Sequence, residues 1–232
     1  MPKKENIRQM FDSIATDYDR LNHLMSLGID RRWRRKAIRR IADAPDLRVL
    51  DVAAGTGDFS IGIASRLQSG HVTGVDISEG MLEVMRSKVA AEGLSERISC
   101  QGGDGEALPF AEGSFDRVAI AFGIRNFEDR ARGLSEMLRV LVPGGRVVIL
   151  ELSVPENRIV RWGYNLYFRR IMSKVGGKIS GNKAAYDYLP ASIVKFPSRK
   201  AFMAEIGAAG FSSVTHRSFT FGICRMYTGI KP

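Results

Sequence analysis

Two glycines two residues apart, Gly55 and Gly57, close the run Val49-Leu50-Asp51-Val52-Ala53-Ala54. Glycines behind a first strand let backbone approach a ligand where a Cβ would clash. Asp76 follows 19 residues after Gly57, at the end of a second apolar run. A carboxylate there can accept hydrogen bonds from both hydroxyls of a ribose. A third loop reads Gly103-Asp104-Gly105-Glu106-Ala107-Leu108-Pro109-Phe110, and an acidic side chain in it can accept from an adenine amine. Ser60 stands where a pyrophosphate-binding turn wants its third glycine, which argues against a dinucleotide.

Charge points the same way. The chain has 232 residues and a net charge of +10, yet residues 46–153 carry net −5. An acidic middle suits a cationic nucleoside. S-adenosylmethionine (SAM) has a sulfonium, an amino group and no pyrophosphate to cradle. The basic excess lies in the flanks, net +5 over 1–45 and net +8 over 154–200. That asymmetry suits an anionic surface or partner near those flanks. Cys100 and Cys224 give neither a metal pattern nor a disulfide framework, so a reducing cytoplasm is the simplest compartment. The start of the chain lacks an apolar signal core, and no apolar run approaches the roughly 18 residues of a membrane span.

The elements that position these loops follow from periodicity. Residues 48–53, 72–77, 97–101, 115–122 and 146–152 read as strands. Helices over 58–67, 78 onward and 129–141 alternate with them, which implies βαβ units and a parallel sheet. Ser78 is placed to cap its helix, with Met81, Leu82 and Met85 on one face. Pro143-Gly144-Gly145 should break the chain before the fifth strand. A helix over 198–209 precedes strands at 212–220 and 222–230, with Gly222 in a hairpin turn. The expected division is a helical, basic cover at 1–45, a cofactor-binding core at 46–153, a substrate lid at 154–197, and a closing helix and hairpin at 198–232, all in one domain.

Asp51-x-x-x-Gly55-x-Gly57, Asp76 and the Asp104 loop together resemble the class I SAM-dependent methyltransferases, with a Rossmann-like α/β fold and a mostly parallel seven-stranded sheet ending in an antiparallel hairpin. A narrower resemblance covers nearly the whole chain. Tyr18-Asp19-Arg20-Leu21-Asn22 with Ser26, Gly28 and Trp33 is similar to the N-terminal signature of the menaquinone and ubiquinone biosynthesis C-methyltransferases. So are Phe122-Gly123-Ile124-Arg125-Asn126, Arg139 to Gly145 with Glu151-x-Ser153, and Tyr186-x-Tyr188-Leu189-Pro190 with Ser192, Phe196 and Pro197. The resemblance implies SAM contacts at Thr56, Asp76, Asp104 and Gly105, beside Gly55 and Gly57. Ala121 replaces a serine that contacts the cofactor in that family. The implied substrate is a polyprenylated quinol, first of all demethylmenaquinol because the chain is compact, with the benzoquinol of ubiquinone biosynthesis as the alternative.

In such a reaction the quinol loses a phenolic proton and its ring carbon attacks the sulfonium methyl in line, so positioning is the enzyme's main work. Arg125 is the first candidate to stabilise the phenolate, Asn126 to orient it, and Tyr18 to touch the ring or relay a proton. No histidine stands in a motif. Val160, Tyr164, Tyr167, Phe168, Ile171 and Val175 recur at helical spacing beside Arg158, Arg161, Arg169, Arg170, Lys174 and Lys178. That pattern suits either a helix lying on anionic lipid or one packed on the protein's own core. A homodimer is compatible with the chain, and no nucleic acid partner is expected. The competing classes are an RNA methyltransferase, an NAD-dependent oxidoreductase, and an RNA- or SAM-binding regulator on the same scaffold.

Overall fold

The computed structural model describes residues 3–167 and 183–232. Helices α1 (Lys4–Ile14), α2 (Tyr18–Met25) and α3 (Asp30–Ile41) precede β1 (Asp46–Val52). Then come α4 (Asp58–Arg66), β2 (Ser69–Asp76), α5 (Glu79–Ala91), β3 (Ile98–Gly102) and β4 (Phe115–Ala121). A 3-10 turn at Ile124–Asn126 leads to α6 (Arg130–Val140) and β5 (Leu141–Leu152). The chain closes with α7 (Arg158–Tyr167), α8 (Lys183–Lys195), α9 (Arg199–Ala208), β6 (Ser212–Phe219) and β7 (Cys224–Ile230).

The seven strands lie in the order β3-β2-β1-β4-β5-β7-β6. The first five are parallel, and β7 joins β5 antiparallel, with β6 antiparallel on the edge. Side chains alternate between faces along each strand. Val49, Val72, Ala119 and Val148 therefore meet α3, α4 and α5 through Trp33, Ile63 and Met85. Leu50, Val118, Ile120 and Ile149 meet α6 and α9 on the other face through Leu134, Met137 and Phe202. Burial on both faces is what a parallel sheet requires, and it leaves the carboxyl ends of β1, β2 and β4 as the place for a ligand.

The Rossmann-like sheet with its terminal hairpin is the architecture expected from the sequence. Ser78 caps α5 by accepting from Met81 N at 3.2 Å. The hairpin turn is the 3-10 segment Thr220–Gly222, with Gly222 at φ 91°. One expectation needs correction. Pro143-Gly144-Gly145 does not separate α6 from the fifth strand, because β5 already pairs at Leu141 and carries these residues as an irregularity. Leu141 faces Phe115 and Arg146 faces Arg117, so four residues of β5 bulge against one of β4. The backbone polar groups stay satisfied there, since Gly144 N donates to Lys231 O and Lys231 N donates to Gly145 O, both at 2.9 Å.

The packing of α7 decides between the two readings of its apolar face. Tyr164 and Tyr167 turn inward and line a cavity, while the side chains left in solvent are Ile159 at 80% exposure and Trp162 at 69%. The apolar face counted from Val160 therefore packs on the protein, and a second, shorter apolar stripe faces out. Phe168, Ile171, Val175 and the basic residues from Arg169 to Lys178 lie outside the described residues. Among the described residues, no helix is long and apolar enough to cross a membrane.

Close packing joins α6 to the site. A Cβ on Gly133 would sit 2.4 Å from the Phe127 ring, and one on Gly105 would sit 2.5 Å from the same ring. Phe127 is thus held between a helix and the loop expected to take adenine. Gly133→Ala would gain about 1 kcal/mol of helix propensity, against about 1–3 kcal/mol for overpacking. The clash should win in a site bounded by backbone. We expect the variant to melt several degrees lower and to bind S-adenosylhomocysteine more weakly. An unchanged melting temperature with unchanged binding contradicts this packing account.

Candidate active site

The turn after β1 runs through left-handed backbone at Ala53 (φ 53°), Gly55 (φ 57°) and Gly57 (φ 84°). It is pinned from β2: Asp76 Oδ2 accepts from Gly55 N at 2.8 Å, and Asp76 Oδ1 accepts from Ser78 N at 2.9 Å. The Ile77 backbone adds a third donor to this carboxylate, and Asp76 lines the chamber beyond the strand ends. Burial raises the Asp76 pKa against the backbone donors that favour its charge. This chamber, a cavity of about 80 Å³, is also lined by Gly55, Asp104, Gly105, Asn126 and Phe127. Buried carboxylate acceptors such as Asp76 fit the ribose, amine and sulfonium of SAM.

Thr56 and Gly57 sit behind that wall rather than in it. The Thr56 hydroxyl donates to Asp19 Oδ1 of α2 at 2.5 Å. A Cβ on Gly57 would meet Met85 Cγ at 2.6 Å, so this glycine also serves the packing of α4 on α5. Ser60, in the position of the missing third glycine, donates to Asp51 Oδ2 at 2.6 Å. Ala121 lines the chamber without a polar group to offer.

A second cavity of about 240 Å³ adjoins the first, and Tyr18 and Phe122 line both. Its wall carries Trp33, Leu152, Tyr164, Tyr167, Leu189 and Ile223. An apolar, aromatic wall suits a flat ring with a hydrocarbon tail. Arg125 lines this cavity and Asn126 lines the other, so the 3-10 turn after β4 presents one side chain to each.

Arg125 is buried, and its bonds are largely committed. Its Nη1 donates to Glu151 Oε1 at 2.9 Å and to the Phe122 carbonyl, its Nε donates to Ser192 Oγ at 3.3 Å, and its backbone N donates to Glu151 Oε2 at 3.1 Å. Burial opposes the guanidinium charge, but Glu151 and the oxygens of Tyr18 and Tyr188 hold its pKa above the ordinary value. Asn126 Oδ1 accepts from Tyr188 OH at 2.9 Å. Burial pushes the Tyr188 and Tyr164 phenols up, so both remain protonated donors.

The N-terminal helices close the first chamber. Lys4 Nζ lies 2.5 Å from Asp104 Oδ2 and 3.3 Å from Glu106 Oε2. Asp12 Oδ1 accepts from Ser78 Oγ at 2.5 Å and from Gly80 N at 3.1 Å. Asp19 also accepts from Lys88 at 2.7 Å. Sequence reasoning missed Lys4, Asp12 and Asp19 as site builders, and it assigned no role to Glu151 or Ser192. Their cross-chain partners named here lie 26 to 102 residues away, beyond any local period.

The model of the ubiE/COQ5 methyltransferase family matches residues 1–231. The chain is 50% identical over 230 residues to the ubiquinone/menaquinone biosynthesis C-methyltransferase UbiE of Geobacter sulfurreducens, covering 99% of this chain and 90% of that one. It is 48% identical over 229 residues to the demethylmenaquinone methyltransferase of Bacteroides fragilis, covering 99% and 94%. Among solved structures, a SAM-dependent methyltransferase from Aquifex aeolicus matches with a TM-score of 0.62 at 16% identity, over 86% of this chain and 89% of that one. At that identity the likeness carries the fold alone.

Asp51 provides a pH test of the buried floor. Desolvation pushes its carboxyl up to about 7, against the Ser60 hydrogen bond and the Arg34 charge. The folded chain therefore holds this proton more tightly than the unfolded chain. The stability it contributes is full below the usual carboxylate range and is lost as pH rises through about 7. Asp51→Asn removes the titration while keeping an acceptor for Ser60. The melting temperature of the variant relative to the natural protein should rise between pH 5 and pH 8. A constant difference across that range would contradict the assignment.

Proposed function

The chain belongs to the ubiE/COQ5 methyltransferase family, and on that premise we propose that it transfers the methyl group of SAM to a ring carbon of a polyprenylated quinol, demethylmenaquinol above all. The observation that carries this reading is the pair of chambers sharing a wall at Tyr18 and Phe122. One chamber is acidic and hydrogen-bonding, and the other is apolar and aromatic.

SAM, when bound, supplies a methyl on a positively charged sulfur. The chain's residues do the rest. Asp76 and the Asp104 loop hold the nucleoside end. Tyr18 and Phe122 set the distance between the two reactants, and the N-terminal helices keep water out. That orientation and desolvation can account for much of the barrier reduction. Arg125 presents its guanidinium to the quinol oxygen. Paired with Glu151 it acts as a fixed donor more than as free charge, and Asn126, held by Tyr188, orients the cofactor side.

The tail of such a substrate lies in a bilayer, and we place the cavity mouth against one. Leu27 lines the cavity and is 71% exposed; Phe221, 81% exposed, sits between the lining residues Thr220 and Ile223. Both have left-handed backbone, with φ of 51° and 55°, and each is followed by a left-handed glycine. Tight turns thus hold large apolar side chains out into solvent. Ile159 and Trp162 on α7 add to them, beside exposed Arg158 and Arg161. Apolar tips with basic neighbours fit the headgroup region of anionic lipid.

Purified protein given methyl-labelled SAM and reduced demethylmenaquinone in detergent should move label into the organic extract, faster than with a ubiquinone-pathway benzoquinol. No label with S-adenosylhomocysteine binding intact would sink the quinol reading. For the membrane contact, sedimentation with phosphatidylglycerol vesicles should fall at least about fivefold in Trp162→Ser/Phe221→Ser, the order expected from losing two buried aromatic anchors. Methylation of a short-chain quinol should be unchanged. Equal sedimentation would remove these tips from the account.

A further inference from the structure

A methyl transfer to ring carbon needs an acceptor for the phenolic proton. The second cavity restricts the choice. Its described polar lining consists of phenols, hydroxyls, an amide, two guanidinium groups and one carboxylate, that of Asp30. No histidine lines it among the described residues. The phenols of Tyr164 and Tyr167 are pushed up by burial, and the guanidinium groups of Arg34 and Arg125 have no site to accept a proton. Asp30 lies in the first turn of α3, only 4% exposed. Ser26 Oγ donates to its Oδ1 at 2.6 Å, and Arg34 Nε stands 3.6 Å from its Oδ2. The same Arg34 guanidinium lies over the Phe122 ring, 5.0 Å from its centroid. The carboxylate is therefore held one side chain away from the wall shared with the cofactor chamber.

Building on the quinol reading above, we propose that Asp30 is the general base of the reaction. The quinol O–H bond breaks and its proton goes to the Asp30 carboxylate. The electron pair moves into the ring, the ring carbon bonds to the methyl, and the methyl–sulfur bond breaks with sulfur keeping its pair. The ring carbon then carries both methyl and hydrogen. Asp30 returns its proton to the ring oxygen as the ring hydrogen leaves to water, which restores the aromatic quinol. One proton in all is released per methyl transferred. Among the described residues, Ser26 and Arg34 from its own side, Arg125 from the turn after β4, Tyr18 and Asn22 from α2, Thr220 from the hairpin turn, and Tyr164 and Tyr167 from α7 face this cavity with it.

The test is Asp30→Asn, assayed anaerobically with a short-chain demethylmenaquinol across pH, alongside melting temperature and calorimetric S-adenosylhomocysteine binding. At pH 7.5 kcat should fall on the order of 100-fold, the usual contribution of a general base, with cofactor binding unchanged. Near pH 10 a phenol ionises on its own, so the gap should close to within about threefold. A deficit that does not change with pH makes Asp30 structural and overturns the proposal, as does a variant equal to the natural protein at pH 7.5. If the asparagine variant fails to bind S-adenosylhomocysteine, Asp30→Glu decides. It should keep the natural pH profile at a reduced rate, and a profile that climbs towards pH 10 overturns the proposal. A natural protein that moves no label to any quinol overturns this proposal together with the reading it rests on.

Discussion

The buried ion pair between Arg125 and Glu151 fixes the wall on which both chambers depend. Glu151 ends the parallel part of the sheet at 0% exposure and receives Arg125 N, Arg125 Nη1 and Leu152 N. The guanidinium in turn holds the carbonyl of Phe122, whose backbone is left-handed at φ 62°. It also reaches Ser192 of α8. One charge pair thereby joins β5, the turn after β4 and the helix behind the substrate cavity. Breaking such a pair by removing one partner costs about 3–5 kcal/mol, because the other charge stays buried alone. The Phe122 ring would then lose the constraint that holds it at the edge of both cavities.

Around that wall the N-terminal helices act as a strap fastened by charges. Lys4 meets the Asp104 loop, Asp12 meets the cap of α5, and Asp19 meets Thr56 and Lys88. These three loops lie at the carboxyl ends of β1, β2 and β3, where the proposed cofactor site is. The pair of Lys4 with Asp104 is about one-third exposed on both sides, so alone it contributes little. Together they hold the N-terminal helices over the loops. The hydrophobic seal is made by Ile14, Ala15 and Met81 at the junction of α1 and α5.

Much of this was legible in the chain because it is local. Strand alternation, the Gly55–Gly57 turn, the interval to Asp76 and the Ser78 cap are short-range patterns, and they fix the sheet and the cofactor edge. Arg125 and Asn126 could be named from their motif, but not that they face opposite chambers. That depends on a 3-10 turn whose geometry is set by Glu151, 26 residues on. The face of α7 was ambiguous for a different reason. Its sequence carries two apolar stripes, and only packing decides that Tyr164 and Tyr167 go inward while Ile159 and Trp162 stay out. The Pro143-Gly144-Gly145 bulge was misread because a breaker signal reports local backbone, while pairing with Lys231 comes from the far end of the chain.

The proposed reaction requires two reactants to meet where Tyr18 and Phe122 line both cavities. The most direct measurement is a crystal structure with S-adenosylhomocysteine and a short-chain quinol bound together. The account predicts the ribose on Asp76, the sulfur at the opening, and the ring in the cavity of Trp33 and Arg125 with no side chain between sulfur and ring carbon. A ring bound outside that cavity, or a sulfur walled off from it by Phe122, would contradict the account.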